Sequence, residues 1–406
     1  MLPSQRHLFD IPRDVCYLNA ASWSPLLLAA MEAGRAAMAR KGRPWTVPAD
    51  FAATQFERAR RAAAALINAD PADVALIPSV SYGVATAGKL FSPPPGTRVL
   101  LLQNDHVSPV LEWRTRATTA DWQIETVPQP SDGDWTAALL TAIERQGARP
   151  VSLASISSVH WSDGCAIDLP HVAAALRRHG AALLIDATHA AGVMALDVHA
   201  LDPDFVVFPT YKWVLGPYGR AFPYVARRHQ AGEPLEQTGA ARRAVTSEHA
   251  PYLRDLAHVD NARRFDMGER DFFVSLEMAS IGMEQVAAWG WSSISERLRL
   301  LTDRLADGLR GSTVQMPSEK LRAPHILSLG FPAGMPEDLS ERLAAAQVYA
   351  AVRLGRLRIS PHVYNDETDV DRFIQVFSNV IAKDSRPTCH CEERRDEATP
   401  IVSTHS

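Results

Sequence analysis

The chain has 406 residues, of which 46% are hydrophobic and 22% are charged, and its formal net charge is −4. These values are typical of a soluble globular protein with a large domain and a smaller one, and the weak negative charge argues against nucleic acid or an anionic membrane as the main partner. Because the sequence has no apolar run long enough to span a bilayer, no signal-peptide core and only four cysteines, we expect a cytoplasmic location.

In chain order, the first part of the sequence alternates short apolar runs with stretches of helical periodicity. We predict extended segments at residues 16–21, 74–78, 98–102, 151–156, 181–185 and 205–208, and helices at residues 51–68, 82–90, 135–146 and 171–179. Continuous apolar strands that alternate with helices indicate an α/β domain with a mostly parallel sheet covered on both faces.

The pattern changes after about residue 261. One long helical stretch is predicted at 274–309, strands at 326–331 and 357–360, and a last helix at 369–381, which together indicate a smaller α+β domain. We predict an N-terminal segment (1–20) that packs on the small domain, a large domain (21–265), the small domain (266–382) and a disordered tail (383–406). The tail contains Cys389 and Cys391, but two sulfurs alone make a poor metal site, so no metal is expected.

Two chemically useful residues follow successive predicted strands. Asp186 ends one apolar run, and Lys212, one of only five lysines, comes just after the next. Ligands of open α/β sheets bind at the carboxyl ends of strands, so both side chains are expected at one site. Pyridoxal 5′-phosphate (PLP) needs a lysine amine for its Schiff base and a carboxylate on its pyridine nitrogen. The pair therefore predicts a PLP site.

The segments IDATHAAG and FPTYKWVLGPYG, which contain these two residues, resemble the class V aminotransferase and cysteine desulfurase family of fold-type I PLP enzymes. The likeness extends over about residues 15–380 and implies a homodimer. It also implies that Lys212 is the Schiff-base lysine and that Asp186 pairs with the pyridine nitrogen. His189 stands where many members have Gln, as in kynureninases, and is expected to donate a hydrogen bond near the cofactor's phenolic oxygen or the Schiff base.

Three residues at the start of a predicted helix, Ser79, Ser81 and Tyr82, are candidates for binding the cofactor phosphate. A helix N-terminus attracts anions, although these residues also suit ordinary helix capping. They lie where the family has its phosphate-binding turn. His106, in DHVSPVLEW, resembles the family histidine that stacks on the pyridine ring and moves protons.

The remaining candidates concern the substrate and the partner subunit. Arg358, in RISPHVYN, resembles the family arginine that binds the substrate α-carboxylate, a task that suits its planar guanidinium. We expect Asn19 and either His160 or Trp161 to contact the substrate. Gly268 lies in the segment that reaches the neighbouring subunit's phosphate in family dimers. Here the next residue is Glu269, which would repel a phosphate, so Arg270 is expected to face the site instead.

The favoured prediction is a class V aminotransferase that acts on an amino acid or related amine, a small-molecule substrate. A kynureninase-like lyase or hydrolase and an epimerase remain open alternatives. A cysteine desulfurase is disfavoured because residues 341–357 contain no cysteine in the place of that family's nucleophile. A PLP-binding module without catalysis is also disfavoured, since the residues expected to bind the substrate are retained.

Overall fold

The computed structural model describes residues 2–245, 251, 253 and 255–384. The strands are β1 (Cys16–Tyr17), β2 (Arg98–Leu102), β3 (Gln123–Val127), β4 (Val151–Ser157), β5 (Ala182–Asp186), β6 (Phe205–Pro209), β7 (Ala221–Val225), β8 (Leu327–Leu329), β9 (Val348–Tyr349), β10 (Ala351–Arg353) and β11 (Arg356–Ile359). The helices are α1 (Leu28–Lys41), α2 (Phe51–Ala65), α3 (Val80–Leu90), α4 (Val107–Ala117), α5 (Trp135–Ile143), α6 (Leu169–Arg178), α7 (Val198–Leu201), α8 (Ser275–Trp289), α9 (Trp291–Gly308), α10 (Leu339–Ala345) and α11 (Glu367–Asp384).

The central sheet has the strand order β3-β2-β4-β5-β6-β7. All neighbouring pairs are parallel except β6 and β7, which are antiparallel. Alternate residues of one strand enter different cores: Val99 and Leu101 of β2 pack in one cluster, whereas Leu100 and Leu102 pack in the other. Since successive side chains of a strand point to opposite faces, both faces of the sheet are buried. The predicted α/β class and the mostly parallel sheet are confirmed.

A second group of elements surrounds a three-stranded antiparallel sheet in the order β10-β11-β8. The N-terminal strand β1 pairs in parallel with β9, and a buried ion pair of 2.9 Å joins Arg6 to Asp369 of α11. These contacts fix the first residues of the chain against its C-terminal part. The domain boundaries given above stay predictions.

Two predicted elements are wrong. Residues 74–78 form no strand, because only two isolated antiparallel bridges, Val74 to Tyr224 and Ile77 to Ala221, link them to β7, and Pro78 has no N–H to extend the ladder. The long helix at 274–309 is instead two helices, α8 and α9, separated at Gly290. The φ of Gly290 is +77°, in a region of backbone conformation that glycine adopts at little energetic cost.

In the central sheet, strands β3 and β7 lack a predicted counterpart, as do the short strands β9 and β10 outside it. Because most residues of β3 are exposed or half-buried, this strand lacks a continuous apolar pattern, and β7 contains Pro223. Both strands lie at an edge of the sheet, where polar residues and proline are tolerated. In the described part of the chain, no helix combines the length and apolarity needed to cross a membrane. The predicted disordered tail, with its two cysteines, falls outside the described residues from position 385 onward.

Candidate active site

The carboxyl ends of β5 and β6 bring Asp186 and Lys212 into one cavity. These strands are parallel neighbours, with Asp186, the last residue of β5, paired to Val207 of β6. Lys212 follows three residues after the end of β6. Both side chains line a cavity of about 210 Å³. The topology therefore places the predicted pair at the strand ends where α/β sheets bind ligands.

The carboxylate of Asp186 is held firmly but retains a free oxygen. Its Oδ1 accepts a hydrogen bond of 2.9 Å from the N–H of Thr188. The backbone carbonyl of the same residue accepts a bond of 3.0 Å from the N–H of Ser158, which fixes the end of the strand. Oδ2 accepts no hydrogen bond from the described residues. One oxygen is thus left for a ligand that brings a proton or a positive charge.

Lys212 is a buried amine without a carboxylate partner. Its residue is 7% exposed, and within the described chain Nζ makes no hydrogen bond or ion pair; it lies 5.5 Å from the ring centre of Tyr211. Burial, with a smaller contribution from the positive charge of Arg358, lowers the pKa of the amine to about 7, although Asp186 opposes the shift. A substantial fraction is therefore neutral and nucleophilic near neutral pH.

His189 also lines the cavity, and a hydrogen bond to its ring determines which nitrogen carries the proton. The indole N–H of Trp213 donates a hydrogen bond of 2.9 Å to His189 Nδ1, so the ring proton is on Nε2. Burial lowers the pKa of His189 well below its ordinary value, and Lys212 and Arg358 add to the shift. The imidazole is therefore neutral, and within the described residues Nε2–H has no acceptor. This arrangement presents a hydrogen-bond donor to a ligand.

The N-terminus of α3 forms the hydroxyl-rich end of the cavity. Ser79 caps the helix, and its Oγ accepts a bond of 3.2 Å from the N–H of Tyr82. The Oγ of Ser81 donates to the Oγ of Ser108 at 3.2 Å. These three serines line the cavity, whereas Tyr82 does not. Free N–H groups of the first helical turn and three hydroxyls suit an anion such as a phosphate.

His106 and Trp161 form an aromatic wall of the cavity. Their rings meet edge to face with centres 5.8 Å apart, and both residues line the cavity. His106 caps α4, and its Nδ1 accepts a bond of 3.3 Å from the N–H of Ser108. Burial lowers the pKa of His106. A neutral imidazole at this wall can pack against a flat ligand without adding charge.

Arg358 on β11 is a buried cation without an anion. It is 2% exposed, and its Nη1 and Nη2 donate to neutral oxygens, the carbonyl of Trp161 at 2.7 Å and the hydroxyl of Ser22 at 2.9 Å. It forms no ion pair within the described residues, and its Nε has no hydrogen-bond partner there. Since an unpaired buried charge is costly, the arrangement suits a ligand carboxylate.

The structure places Asn19 beside the strand that carries Arg358. Asn19 pairs through an isolated bridge with Ser360, which follows β11. Its side-chain Oδ1 is buried and has no hydrogen-bond partner among the described residues. Asn19 does not line the cavity. A free buried acceptor at this place remains available to an N–H or O–H donor.

Six residues expected near the site do not line the cavity of their own chain: Asn19, Tyr82, His160, Gly268, Arg270 and Arg358. His160 is fully buried: its Nε2 lies 3.2 Å from the carbonyl of Gln103, and its ring stacks on Trp135 at 4.6 Å. It stabilises the core behind the site, and Trp161 faces the cavity instead. Arg270 is also directed elsewhere, as is the segment around Gly268.

The contacts of that segment explain its direction. Arg270 donates to Asp266 at 2.9 Å and lies 3.7 Å from the ring centre of Phe56. The N–H of Gly268 donates to Glu236 Oε2 at 2.6 Å. The expectation that Arg270 faces the site is therefore wrong within a single chain.

Several cavity residues were missed by sequence reasoning: Ser108, Thr188, Tyr211, Tyr218 and Arg220. Ser108, Thr188 and Tyr211 stand within two residues of a predicted site residue, and Tyr218 lies in the FPTYKWVLGPYG segment, so proximity to the motifs was the available signal. Arg220 was harder to detect because it is one of many arginines and follows the glycine at the end of the GPYG sequence.

Comparison with known proteins identifies the family of this chain. The sequence profile of the family "Aminotransferase class-V" matches residues 27–373, which is most of the chain. The chain belongs to the aminotransferase class-V family. "Uncharacterized aminotransferase YcbU" of Bacillus subtilis (strain 168) is 26% identical over 77% of this chain and 80% of that protein. Isopenicillin N epimerase of Streptomyces clavuligerus is 28% identical over 88% of this chain and 93% of that protein.

A solved structure supports the fold of this class V chain. A lysine-to-alanine variant of C-DES, with glycine covalently linked to its PLP cofactor, superposes with a TM-score of 0.78 at 18% identity and covers 92% of this chain and 99% of that chain. At this identity the likeness shows the fold, which is that of the fold-type I PLP enzymes.

The cofactor of this class V protein is pyridoxal 5′-phosphate. The residues fit it: Lys212 supplies an amine, Asp186 a free carboxylate oxygen, and the turn around Ser79 a place for the phosphate. The described cysteines do not suit desulfurase chemistry. Cys16 and Cys165 are buried away from the cavity, and burial raises the pKa of both thiols. A thiol of raised pKa is a poor nucleophile.

Proposed function

We propose that this chain is an aminotransferase that removes the amino group of an α-amino acid and transfers it to an α-keto acid. One observation carries the proposal: the amine of Lys212, whose pKa is lowered to about 7, shares its cavity with the carboxylate of Asp186. The guanidinium of Arg358, which has no carboxylate partner among the described residues, does not line the cavity itself but donates to the carbonyl of Trp161, which does. Within the described residues, this combination offers an amine for the cofactor, a counter-charge for its ring and a cation for the substrate carboxylate.

Bound pyridoxal phosphate withdraws the electron pair left at the substrate Cα and, in transamination, accepts the amino group. We assign the free Oδ2 of Asp186 to the pyridine nitrogen, since a carboxylate there keeps that nitrogen protonated. We assign Nε2–H of His189 to the phenolic oxygen as a neutral donor. The hydroxyls of Ser79 and Ser81 and the first N–H groups of α3 bind the phosphate.

The proton transfers are assigned to Lys212. Because burial brings the pKa of its amine to about 7, Nζ can take the proton from the substrate Cα and release it again at neutral pH. His189 cannot serve as this base: its Nδ1 already accepts a hydrogen bond from Trp213, and its Nε2 carries the proton. One amine that both takes and returns the proton suits transamination.

The carboxylate of the substrate is assigned to Arg358. The guanidinium and the carboxylate would form two parallel hydrogen bonds. The N–H groups of Arg358 now donate to neutral oxygens or, in the case of Nε, have no partner among the described residues. Trp161 and His106 then enclose the substrate from one side. Fixing the carboxylate fixes the direction of the Cα–H bond, which decides the bond that breaks.

Two other outcomes have some support. Epimerisation is supported by the relative that is an isopenicillin N epimerase, and kynureninase-like cleavage of a carbon–carbon bond by the histidine at position 189. Both use the same lysine, carboxylate and arginine. They differ from transamination in where the proton returns or in which bond breaks, so product analysis separates them.

The test combines spectroscopy with product analysis. Purified protein should be yellow and should bind PLP through Lys212, so that borohydride attaches the cofactor covalently to this residue, as peptide mass spectrometry would show. Amino acids are then screened for a change of the visible absorption band, and active ones are incubated with pyruvate. Formation of a new α-keto acid together with alanine supports the aminotransferase.

The controls use the few lysines of the chain. Lys212→Ala should lose covalent attachment and activity, whereas Lys89→Ala, at an exposed position of α3, should retain both. Racemisation without keto-acid formation would favour the epimerase instead, and release of a side-chain fragment would favour the lyase. A spectral change with no product at all would favour a non-catalytic binding module.

A further inference from the structure

Arg220 lies beside the turn that begins α3. The next residue, Ala221, forms an isolated antiparallel bridge with Ile77, with reciprocal backbone hydrogen bonds of 2.9 and 3.1 Å. In this antiparallel register, the residues on either side of the bridge, Arg220 and Pro78, are neighbours. Ser79 then follows Pro78 as the cap of α3. Arg220 and these two residues all line the active-site cavity.

The positive charge of Arg220 is weakly neutralised. The residue is 4% exposed, and its Nε donates to the neutral hydroxyl of Ser275 at 2.6 Å. Its nearest carboxylate, Asp271, is 3.6 Å from Nη2, and that side chain is 42% exposed. A well-paired buried arginine of this chain looks different: Arg60 donates two bonds, of 2.8 and 3.1 Å, to a fully buried carboxylate.

The neighbouring segment brings no other free cation to this end of the cavity. Glu269 is the residue expected to repel a phosphate, and Arg270 is engaged with Asp266 and an aromatic ring. Without Arg220, the cavity-lining residues near Ser79 would offer hydroxyls and backbone N–H groups but no positive charge for an anion. A phosphate at a helix N-terminus gains additional stabilisation from an arginine.

We propose that Arg220 is a phosphate-binding residue for the cofactor and that its guanidinium pairs with the phosphate group at the Ser79 end of the cavity. The inference rests on the assignment of pyridoxal 5′-phosphate given above. The phosphate site would then combine the helix N-terminus and the serine hydroxyls with the positive charge of Arg220, a role that the sequence did not reveal. Arg220 is thereby a determinant of the preference for the phosphorylated cofactor over its unphosphorylated form.

The experiment measures binding to the apoprotein rather than activity. Dissociation constants for pyridoxal phosphate and for pyridoxal, which lacks the phosphate, are determined from tryptophan fluorescence for the wild type, Arg220→Gln and Arg220→Lys. We expect Arg220→Gln to weaken the binding of pyridoxal phosphate roughly 10- to 100-fold, as expected for the loss of one or two charge-assisted hydrogen bonds. The dissociation constant of pyridoxal should change less than about twofold. Arg220→Lys, which keeps the charge, should restore part of the loss.

Two further variants guard against a purely structural effect. Arg270→Gln removes a nearby arginine that does not line the cavity, and it should leave the preference for the phosphorylated form unchanged. Asp271→Asn removes the negative charge beside Arg220, and its amide oxygen can still accept from the N–H of Ser275. This variant should therefore bind pyridoxal phosphate as tightly as the wild type or more tightly. This variant keeps the test valid if Arg220→Gln does not fold.

Several results would overturn the proposal. One is that Arg220→Gln loses affinity for both ligands by the same factor, or for neither. Another is that Asp271→Asn binds pyridoxal phosphate more weakly while its affinity for pyridoxal is unchanged. The ³¹P chemical shift of the bound phosphate should differ between the wild type and Arg220→Lys, and identical shifts would also count against it. If the wild type fails to bind pyridoxal phosphate, the cofactor assignment itself is refuted, which is a distinguishable outcome.

Discussion

The unpaired guanidinium of Arg358 gives the sharpest prediction. Replacing Arg358 with Gln removes the charge but leaves a side chain that can still donate to the carbonyl of Trp161. Two charge-assisted hydrogen bonds to a substrate carboxylate at a buried site contribute about 3–4 kcal/mol, which corresponds to a loss of roughly 10²- to 10³-fold in kcat/KM. Arg358→Lys, which offers one point charge instead of a planar pair of donors, should lose less.

The assay compares two classes of amine. Steady-state kinetics are measured with an α-amino acid identified in the screen and with the corresponding amine that lacks the carboxylate. The loss in Arg358→Gln should be confined to the amino acid, because the amine never contacts the guanidinium. An additional effect on folding is expected, since Arg358 is 2% exposed and is packed among other buried residues. Thermal unfolding of each variant therefore accompanies the kinetics.

One result would refute this reasoning. If Arg358→Gln, shown to be folded and to bind the cofactor, slowed both amines by the same factor, then Arg358 would not recognise the carboxylate. Its role would instead be electrostatic, through the pKa of Lys212, which its charge lowers. In that case the activity of the variant should recover at higher pH, because removal of a positive neighbour raises the pKa of the amine.

Three other predictions concern the same fold. Because the pKa of Lys212 is about 7, covalent binding of the cofactor to the apoprotein should accelerate with pH through a midpoint near 7, as stopped-flow absorbance would show; a midpoint near 10 would contradict it. Trp213→Phe removes the N–H that keeps the proton of His189 on Nε2, so the absorption spectrum of the bound cofactor and its pH dependence should change; an unchanged spectrum would argue against this role. Arg60→Met should lower the free energy of unfolding by about 3–5 kcal/mol in urea denaturation, since it leaves the buried carboxylate of Asp266 without its main partner; a loss below 1 kcal/mol would mean that the pair contributes little.

The core of the fold and the central pair of the site could be predicted from sequence because their signals are local. Strands β2, β4, β5 and β6 are fully buried, so each contains mostly apolar or small residues and has clear ends. A polar residue directly after such a run lies at a strand end, and a parallel sheet gathers strand ends at one edge. Asp186 and Lys212 were found in this way.

Other features depended on tertiary contacts that no short window of sequence contains. His160 and Trp161 are adjacent in the chain, and only the packing against Trp135 decides that His160 is buried behind the site while Trp161 faces the cavity. The direction of Arg270 was decided by the buried carboxylate of Asp266, four residues earlier, together with the ring of Phe56, which is distant in sequence. Strand β7 carries a weak pattern because it contains Pro223, and its outer side is joined only by the isolated bridges from residues 74–78.

The sequence by itself indicated the α/β class, the family and the two residues to which we assign the cofactor chemistry, since apolar periodicity and the motifs are local features of the chain. The tertiary structure alone decided the electrostatics of the site. The low pKa of Lys212, the tautomer of His189 and the placement of Arg220 beside the Ser79 turn come from burial and from neighbours distant in sequence. Burial and distance set the strength of charge interactions, and both exist only after folding.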